Sequence, residues 1–433
     1  MTEPAPNADG NSVLEFMFRL GQAYLACGEQ TAKVELSLRR MASAYGMRKS
    51  RVVVFPTAIF ISLHDGNQER VTLAEGPTQN LRLDQIGDIY QLGGLAEQGK
   101  IAPQLGQEQL SAILRKGSPH AKATIVLGHT ILAVGLAMVL APYFANLLAA
   151  AVLGTIIGVL KVLNRDQPVL EVPLPVVAAT IVSSLVFLGV KQGIAVDPLH
   201  ALVPPLVTFL PGAMLTLGMV ELAYGDMVSG SSRLITGLIE LVLLCFGLVA
   251  GAMLVGYTPE NLVDMHSEVR FGPLANLAQW VGVLVFGVGV YLHFSAPANS
   301  LFWMLFVLLI AYGAQQVAAL HFSKAVSGFF GMLIATPLGY LIQLRFNGPP
   351  AMVTFLPTFW MLVPGALGLM SIKHMLSDRE AGIDGMITTV FVFASIALGT
   401  LMGASLYKSL SERFGTWQMQ IGRVGRFFRP GKK

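Results

Sequence analysis

Residues 204–218 read PPLVTFLPGAMLTLG and residues 229–251 read SGSSRLITGLIELVLLCFGLVAG; residues 349–369 read PPAMVTFLPTFWMLVPGALGL and residues 381–403 read AGIDGMITTVFVFASIALGTLMG. These are two copies of one apolar unit. Pro211-Gly212-Ala213 recurs as Pro364-Gly365-Ala366, 153 positions on. Gly230, Ile235, Thr236, Gly247 and Gly251 recur as Gly382, Ile387, Thr388, Gly399 and Gly403, 152 positions on. Thr208-Phe209-Leu210-Pro211 also matches Thr354-Phe355-Leu356-Pro357 at 146, but the longer offset carries through two segments with little change. A duplicated membrane unit broken by proline and glycine at matching points is the pattern of a secondary transporter.

Working outward, the 433 residues are 54% hydrophobic and 12% charged, far from a soluble average, and the excess is concentrated after residue 120. Ten apolar stretches of bilayer length follow, at about 123–141, 143–163, 170–190, 201–222, 231–256, 275–296, 299–319, 322–345, 349–372 and 383–408. Helices are the form they must take, because lipid offers no partner to unpaired backbone groups. The fold class is thus an α-helical polytopic membrane protein: ten transmembrane helices as two inverted five-helix repeats, preceded by a small α+β domain. The expected divisions are a flexible N-terminus at 1–12, an α+β domain at 13–120, repeats at 121–256 and 273–408 around a loop at 257–272, and a basic tail at 409–433. No cleavable signal peptide is expected. Cys27 and Cys245 form no disulfide framework or metal cluster.

Basic residues set the orientation. The tail carries Lys408, Arg413, Arg423, Arg426, Arg429, Lys432 and Lys433 against Glu412, and Arg115, Lys116 and Lys122 precede the first span. An even number of spans puts both termini on one side, and the basic flanks mark it as cytoplasmic. The short loops are nearly neutral in this respect, with Lys161 and Arg233 counted inside. Five spans per repeat is odd, so the second copy enters upside down, an arrangement suited to alternating access.

In the N-terminal region Val13, Phe16, Met17, Leu20 and Tyr24, then Val34, Leu38, Met41 and Tyr45, recur at helical spacing, predicting one helix or two joined near Gly28. Strands follow at 51–63, interrupted by Pro56, and at 70–74, with short helices at 84–98 and 106–116. His64 and Asp65, with Glu29, Glu35 and Ser37, are the raw material of a general-base site. Asp65-Gly66 between strands is also a turn signal, and turn chemistry is the stronger reading.

For transport, Pro211-Gly212 and Pro364-Gly365 break or end spans, leaving free N–H groups and a positive dipole end suited to a carboxylate. A simple packing kink is the alternative. His129, Glu221, Glu240 and His293 are ionisable groups within spans and are proton-coupling candidates, because such groups face a bundle interior or a cavity. A satisfied buried histidine is an equal alternative for His129 and His293. Thr208, Thr216, Thr354 and Thr358 suit a small polar solute or bond their own helix backbone. Glu221, Asp226, Ser229 and Arg233 cluster, with Ser229-Gly230-Ser231-Ser232 expected to cap the fifth helix. Gly154-x-x-x-Gly158, Gly247-x-x-x-Gly251 and Gly399-x-x-x-Gly403 predict close helix packing, the last two as candidates to meet near a pseudo-twofold axis. No Walker A sequence and no channel filter is present, and the basic tail fits lipid headgroups and topology rather than nucleic acid.

GQAYLACGEQTAKVELSLRRMASAYG at 21–46, FPTAIFISLHDG at 55–66, FLPGAMLTLGMVELAYGDMVSGSSRL at 209–234 and LVPGALGL at 362–369 resemble the threonine/serine exporter family, across nearly the whole chain. The resemblance implies proton-driven export of threonine and serine. A bacterial inner (plasma) membrane location is expected, with no enzymatic activity and no cofactor or metal. By motif the resemblance places substrate contacts among Pro211, Gly212, Glu221, Gly230, Arg233, Pro364 and Gly365; Glu29, Thr31 and Glu35 fit its N-terminal motif without an assigned role. The hydroxyls of Thr208 and Thr216 complete the candidate substrate contacts on their own chemistry. Two-subunit relatives are implicated in succinate export, so a dicarboxylate exporter is the alternative, with Arg233 as its cation; a membrane-anchored hydrolase is the weaker third reading. The expected partners are a small-molecule substrate, the proton gradient and the lipid bilayer, with a homo-oligomer left open.

Overall fold

The computed structural model describes residues 9–47, 50–64, 69–75, 81–164, 173–194, 196–256, 275–362 and 379–413. The chain forms two compact units, one of residues 1–117, 217–234 and 408–433, the other of residues 118–216 and 235–407.

The first unit opens with helices α1 (Gly10–Ala26) and α2 (Thr31–Ala44). The apolar stripe read from sequence is the buried one: Val13, Phe16, Met17, Leu20 and Tyr24 on α1, and Val34, Leu38 and Met41 on α2. Two helices form rather than one because Gly28 takes φ +78°, a left-handed value that glycine adopts without a Cβ clash. Gly28 N then donates to Leu25 O and Glu29 N to Tyr24 O, the paired bonds that close a helix C-terminus.

Strands β1 (Arg51–Phe55), β2 (Ala58–His64) and β3 (Glu69–Glu75) form an antiparallel sheet in that order, and the Pro56-Thr57 turn sets Phe55 opposite Ala58. Val52, Val54, Ile59, Ile61 and Leu63 are buried while Val53 and Phe60 face outward, the period-two alternation of a sheet covered on one side. Helices α3 (Leu83–Glu97) and α4 (Pro103–Arg115) complete the module. Asp65 and Gly66 lie outside the described residues.

The second unit carries α5 (Lys122–Leu140), α6 (Phe144–Asn164), α7 (Leu174–Lys191) and α8 (Pro198–Leu206). After a 3-10 turn, Val207–Phe209, come α9 (Gly212–Ala223) and α10 (Met227–Leu254), of which residues 217–234 belong to the first unit. Then follow α11 (Ala275–His293), α12 (Leu301–His321), α13 (Lys324–Arg345), α14 (Ala351–Met361) and α15 (Arg379–Arg413). Among the described residues eight helices are long and apolar enough to cross a membrane, and a ninth arises if the pair His200–Phe209 and Gly212–Ala223, bent by 63°, counts as one span. This is a multi-pass membrane protein. The expected span at 349–372 continues past the described residues after Leu362, so ten is not reached among them. Phe246, Leu254, Phe302 and Leu320 point outward, the apolar surface that lipid requires.

Glycines decide how these helices meet. On α5 and α11, a Cβ at Gly135 would lie 2.2 Å from Phe286 N, and one at Gly289 would lie 2.2 Å from Leu132 N. Likewise Gly128 faces His293 N and Gly282 faces Val139 N. Partner numbers fall as glycine numbers rise, so the helices are antiparallel. Adding 154 to Gly128, Leu132, Gly135 and Val139 gives Gly282, Phe286, Gly289 and His293, so each contact has a counterpart with the two helices exchanged.

A second correspondence involves α7 with α10 and α13 with α15. A Cβ at Gly247 would meet Val176 O and one at Gly251 Thr180 O; a Cβ at Gly399 would meet Phe329 O and one at Gly403 Leu333 O. Val176 and Phe329, like Thr180 and Leu333, are 153 positions apart. The expectation that the two Gly-x-x-x-Gly faces meet one another is thereby corrected: the first is occupied by α7 and the second by α13, where small residues let backbones approach.

Candidate functional site

Two polar centres are built by these elements, one in each unit. In the first unit, α9 ends at Tyr224-Gly225 with Gly225 at φ +86°, Gly225 N donating to Leu222 O and Asp226 N to Glu221 O. The chain turns back into α10, and Gly218 and Gly230 let the two helices touch: a Cβ on Gly230 would sit 2.6 Å from Gly218 O. Helix α10 starts at Met227, so Ser229, Ser231 and Ser232 lie within it; the expectation that they cap it is corrected.

This hairpin presents Glu221, Ser229 and Arg233 to the start of α2. Helix α2 receives no side-chain cap from Gln30. Its first N–H is taken by Glu221 instead: Thr31 N donates to Glu221 Oε1 at 3.1 Å, and the Thr31 hydroxyl lies 3.4 Å from the same oxygen and 3.1 Å from Ser229 Oγ. A carboxylate at a helix N-terminus gains from both the unpaired N–H groups and the helix dipole. Arg233 Nη2 donates to the carbonyl oxygen of Glu29 at 2.7 Å, and its Nε lies 3.0 Å from Glu221 Oε2, an ion-pair approach too far off the N–H axis for a hydrogen bond. The Glu221 side chain is 1% exposed.

Glu29 is the other buried carboxylate of this centre. Burial by itself raises its pKa, but the Lys33 ammonium at 2.6 Å, the Tyr90 hydroxyl and the Gln30 N–H together outweigh burial and hold it below the usual glutamate value. Glu35 pairs with Arg39 at 2.7 Å, and Ser37 donates to Glu97. The acids and hydroxyl considered for general-base chemistry are therefore held in structural pairs; the His64 side chain and Asp65 lie outside what is described.

The second centre lies where the helix breaks. Thr208 sits in the 3-10 turn before Leu210-Pro211 and the 63° bend. Lys161 Nζ donates to Thr208 Oγ1 at 2.8 Å and lies 4.8 Å over the Phe209 ring. His129 Nδ1 is 3.0 Å from Gly154 O, which can only accept, so Nδ1 carries the proton. His129 Nε2, 3.3 Å from Thr208 Oγ1, then accepts the threonine hydroxyl. The His129 ring meets that of His293 edge-on at 4.8 Å, and ring contacts continue through Phe294 to Trp360, joining α5, α11 and α14.

The remaining residues named from sequence fall elsewhere. Thr216 bonds Gly212 O of its own helix at 2.8 Å, and Thr354 bonds Ala351 O. Thr358 Oγ1 is buried without a hydrogen-bond partner among the described residues. Glu240 is half-buried beside Gly237 and Leu241 on α10, with no polar partner among the described residues. Pro364 and Gly365 lie outside the described residues. Sequence reasoning missed Lys161, counted as a loop charge; the signal for it was position, since α6 runs to Asn164 and places Lys161 inside the helix.

A threonine/serine exporter of Corynebacterium glutamicum is 22% identical over 426 residues, covering 92% of this chain and 83% of the relative. An uncharacterised protein of Schizosaccharomyces pombe is 23% identical over 366 residues, 81% of this chain and 43% of its own. The pheromone-regulated membrane protein 10 of Saccharomyces cerevisiae is 26% identical over 178 residues, 41% of this chain and 45% of its own. The chain thus spans less than half the length of these two fungal relatives. No solved structure matches it. The threonine/serine exporter family model matches residues 15–255, more than half of the chain, and the chain belongs to that family.

Proposed function

We propose that this chain is a secondary exporter of small amino acids, threonine and serine, coupled to protons and working by alternating access between two inverted five-helix repeats. The observation that carries the reading is the exchange-related packing of α5 and α11. A twofold relation between antiparallel membrane helices has its axis perpendicular to both, in the membrane plane, as in inverted-repeat transporters. Family membership and the break at Pro211-Gly212 support it.

In this reading the solute contacts Thr208 and the helix end at Pro211-Gly212, with Pro364 and Gly365 as repeat counterparts. Glu221, Gly230, Arg233 and Thr216 serve structure: Glu221 and Arg233 join the N-terminal module at 13–120 to the α9–α10 hairpin, Gly230 lets α9 and α10 touch, and Thr216 closes its own helix. Proton coupling falls to Glu240, His129 and His293. The module and hairpin then share the cytoplasmic face of the plasma membrane, with both termini.

Proteoliposomes loaded with labelled threonine, serine or succinate test this. Gradient-stimulated loss of threonine or serine is expected; loss of none of the three overturns it. Loss of succinate alone selects a dicarboxylate exporter, for which Lys161 would stand as the cation in place of Arg233, which already has a carboxylate partner.

A further inference from the structure

We propose that Lys161 is the residue that receives the carboxylate of the transported solute, with Thr208 as its hydroxyl partner; this rests on the exporter reading and names its anion site. Lys161 lies near the end of an apolar helix, half-buried, and no carboxylate lies within ion-pair reach of it among the described residues. Its partners are one hydroxyl and one ring face. Neither supplies a negative charge, and withdrawing an ammonium from water without a counter-charge is costly. Arg233 shows the contrast, because Glu221 and the Glu29 carbonyl already serve it.

The surrounding bonds fix which groups remain for a ligand. Lysine has three N–H donors and no acceptor, so the Thr208 oxygen accepts one of them. The Thr208 proton is directed to His129 Nε2, because His129 Nδ1 already donates to Gly154 O. Two Lys161 N–H groups are left, which match the oxygens of one carboxylate. Thr208 belongs to the short turn that precedes the helix break, so the ammonium is held against the segment whose geometry separates α8 from α9. The ligand class is therefore a small carboxylate. A neutral or purely cationic analogue lacks the group that Lys161 would neutralise.

The test uses purified full-length chain in proteoliposomes and compares wild type, Lys161→Gln and Lys161→Arg. Labelled threonine, serine and succinate are the cargoes, and threoninol, which lacks the carboxylate, is the competitor. The expected result is a half-saturating cargo concentration raised at least about tenfold in Lys161→Gln, the scale of losing one charge-assisted contact. Maximal rate should stay within about twofold, Lys161→Arg should retain most of the affinity, and threoninol should fail to compete with wild type. An unchanged half-saturation in a folded Lys161→Gln protein overturns the proposal. So does competition by threoninol equal to that of threonine, an outcome that needs no variant.

Should wild type move none of the three cargoes, the exporter reading fails separately. The anion site is then judged by thermal shift of the detergent-purified protein with acetate, lactate and succinate against their methyl esters. Stabilisation by an acid but not its ester, lost in Lys161→Gln, sustains the proposal; no stabilisation by any acid overturns it.

Discussion

Glu221 Oε1 accepts the backbone N–H of Thr31 at 3.1 Å, across 190 positions of sequence. One carboxylate thereby caps the second helix of the N-terminal module and neutralises Arg233. This explains why Glu29 and Thr31, in the N-terminal motif, and Glu221 and Arg233, in the hairpin motif, belong together: they are two halves of one joint.

Glu221→Ala leaves Arg233 without its carboxylate and α2 without its cap, and should destabilise the first unit by about 3 kcal/mol, the scale for breaking a buried pair. Glu221→Gln keeps an acceptor for Thr31 and should cost less; Thr31→Val, which retains the backbone N–H, should cost least. Melting temperatures of the three detergent-purified variants check the order, and equal loss in all three would contradict the capping role.

Glu29 gives a pH signature. Its folded-state pKa lies below the unfolded value because Lys33, Tyr90 and Gln30 together outweigh burial. The unfolded chain therefore takes up protons first as pH falls. The stabilisation is present above the usual glutamate range and is lost as pH drops through the folded pKa. The melting-temperature gap between wild type and Glu29→Gln should be widest near neutral pH and narrow on acidification. Tyr90→Phe, which removes a hydrogen bond to a charged group, should cost about 1.5 kcal/mol at neutral pH.

Gly93 and Gly94 are neighbours on α3 with opposite expectations. A Cβ at Gly93 would lie 1.6 Å from the Tyr24 hydroxyl oxygen, whereas one at Gly94 meets nothing within 4 Å. Gly93→Ala should destabilise by about 1–3 kcal/mol through overpacking, and Gly94→Ala should stabilise by about 0.5–1 kcal/mol through helix propensity. In the membrane, Gly135→Ala and Gly289→Ala fall at exchange-related positions where the added Cβ would lie 2.2 Å from a backbone nitrogen, and should lower the melting temperature alike. Clearly unequal shifts would argue against equivalent halves.

Glu240 is the ionisable candidate on α10 with no polar partner among the described residues. Under the exporter reading, Glu240→Gln should abolish stimulation of threonine efflux by a pH gradient while leaving exchange of labelled for unlabelled threonine. Full pH-dependent export by this variant would remove Glu240 as the coupling residue and turn attention to His129 and His293.

Much of this was legible in the chain itself. Length and apolarity determined the spanning helices, because a backbone in lipid must satisfy its own hydrogen bonds. Helical spacing determined the buried faces of α1 and α2, and Gly28 and Pro56 determined where elements stop, because φ preferences are local. Pro211-Gly212 located the helix break, and the recurring glycines at 247, 251, 399 and 403 marked close helix contacts.

What only the tertiary structure decided was partnership. Lys161 and Thr208 are 47 positions apart, and Thr31 and Glu221 are 190 apart; no local spacing links either pair. The same holds for Gly247 and Gly399, whose motif announces a close neighbour but not which helix supplies it. Serine hydroxyls near a helix start can cap or not, and a glutamate within a span can bind a proton, a solute or a helix end. The residue types permit each role, and the group placed at hydrogen-bond distance by the packed helices selects among them.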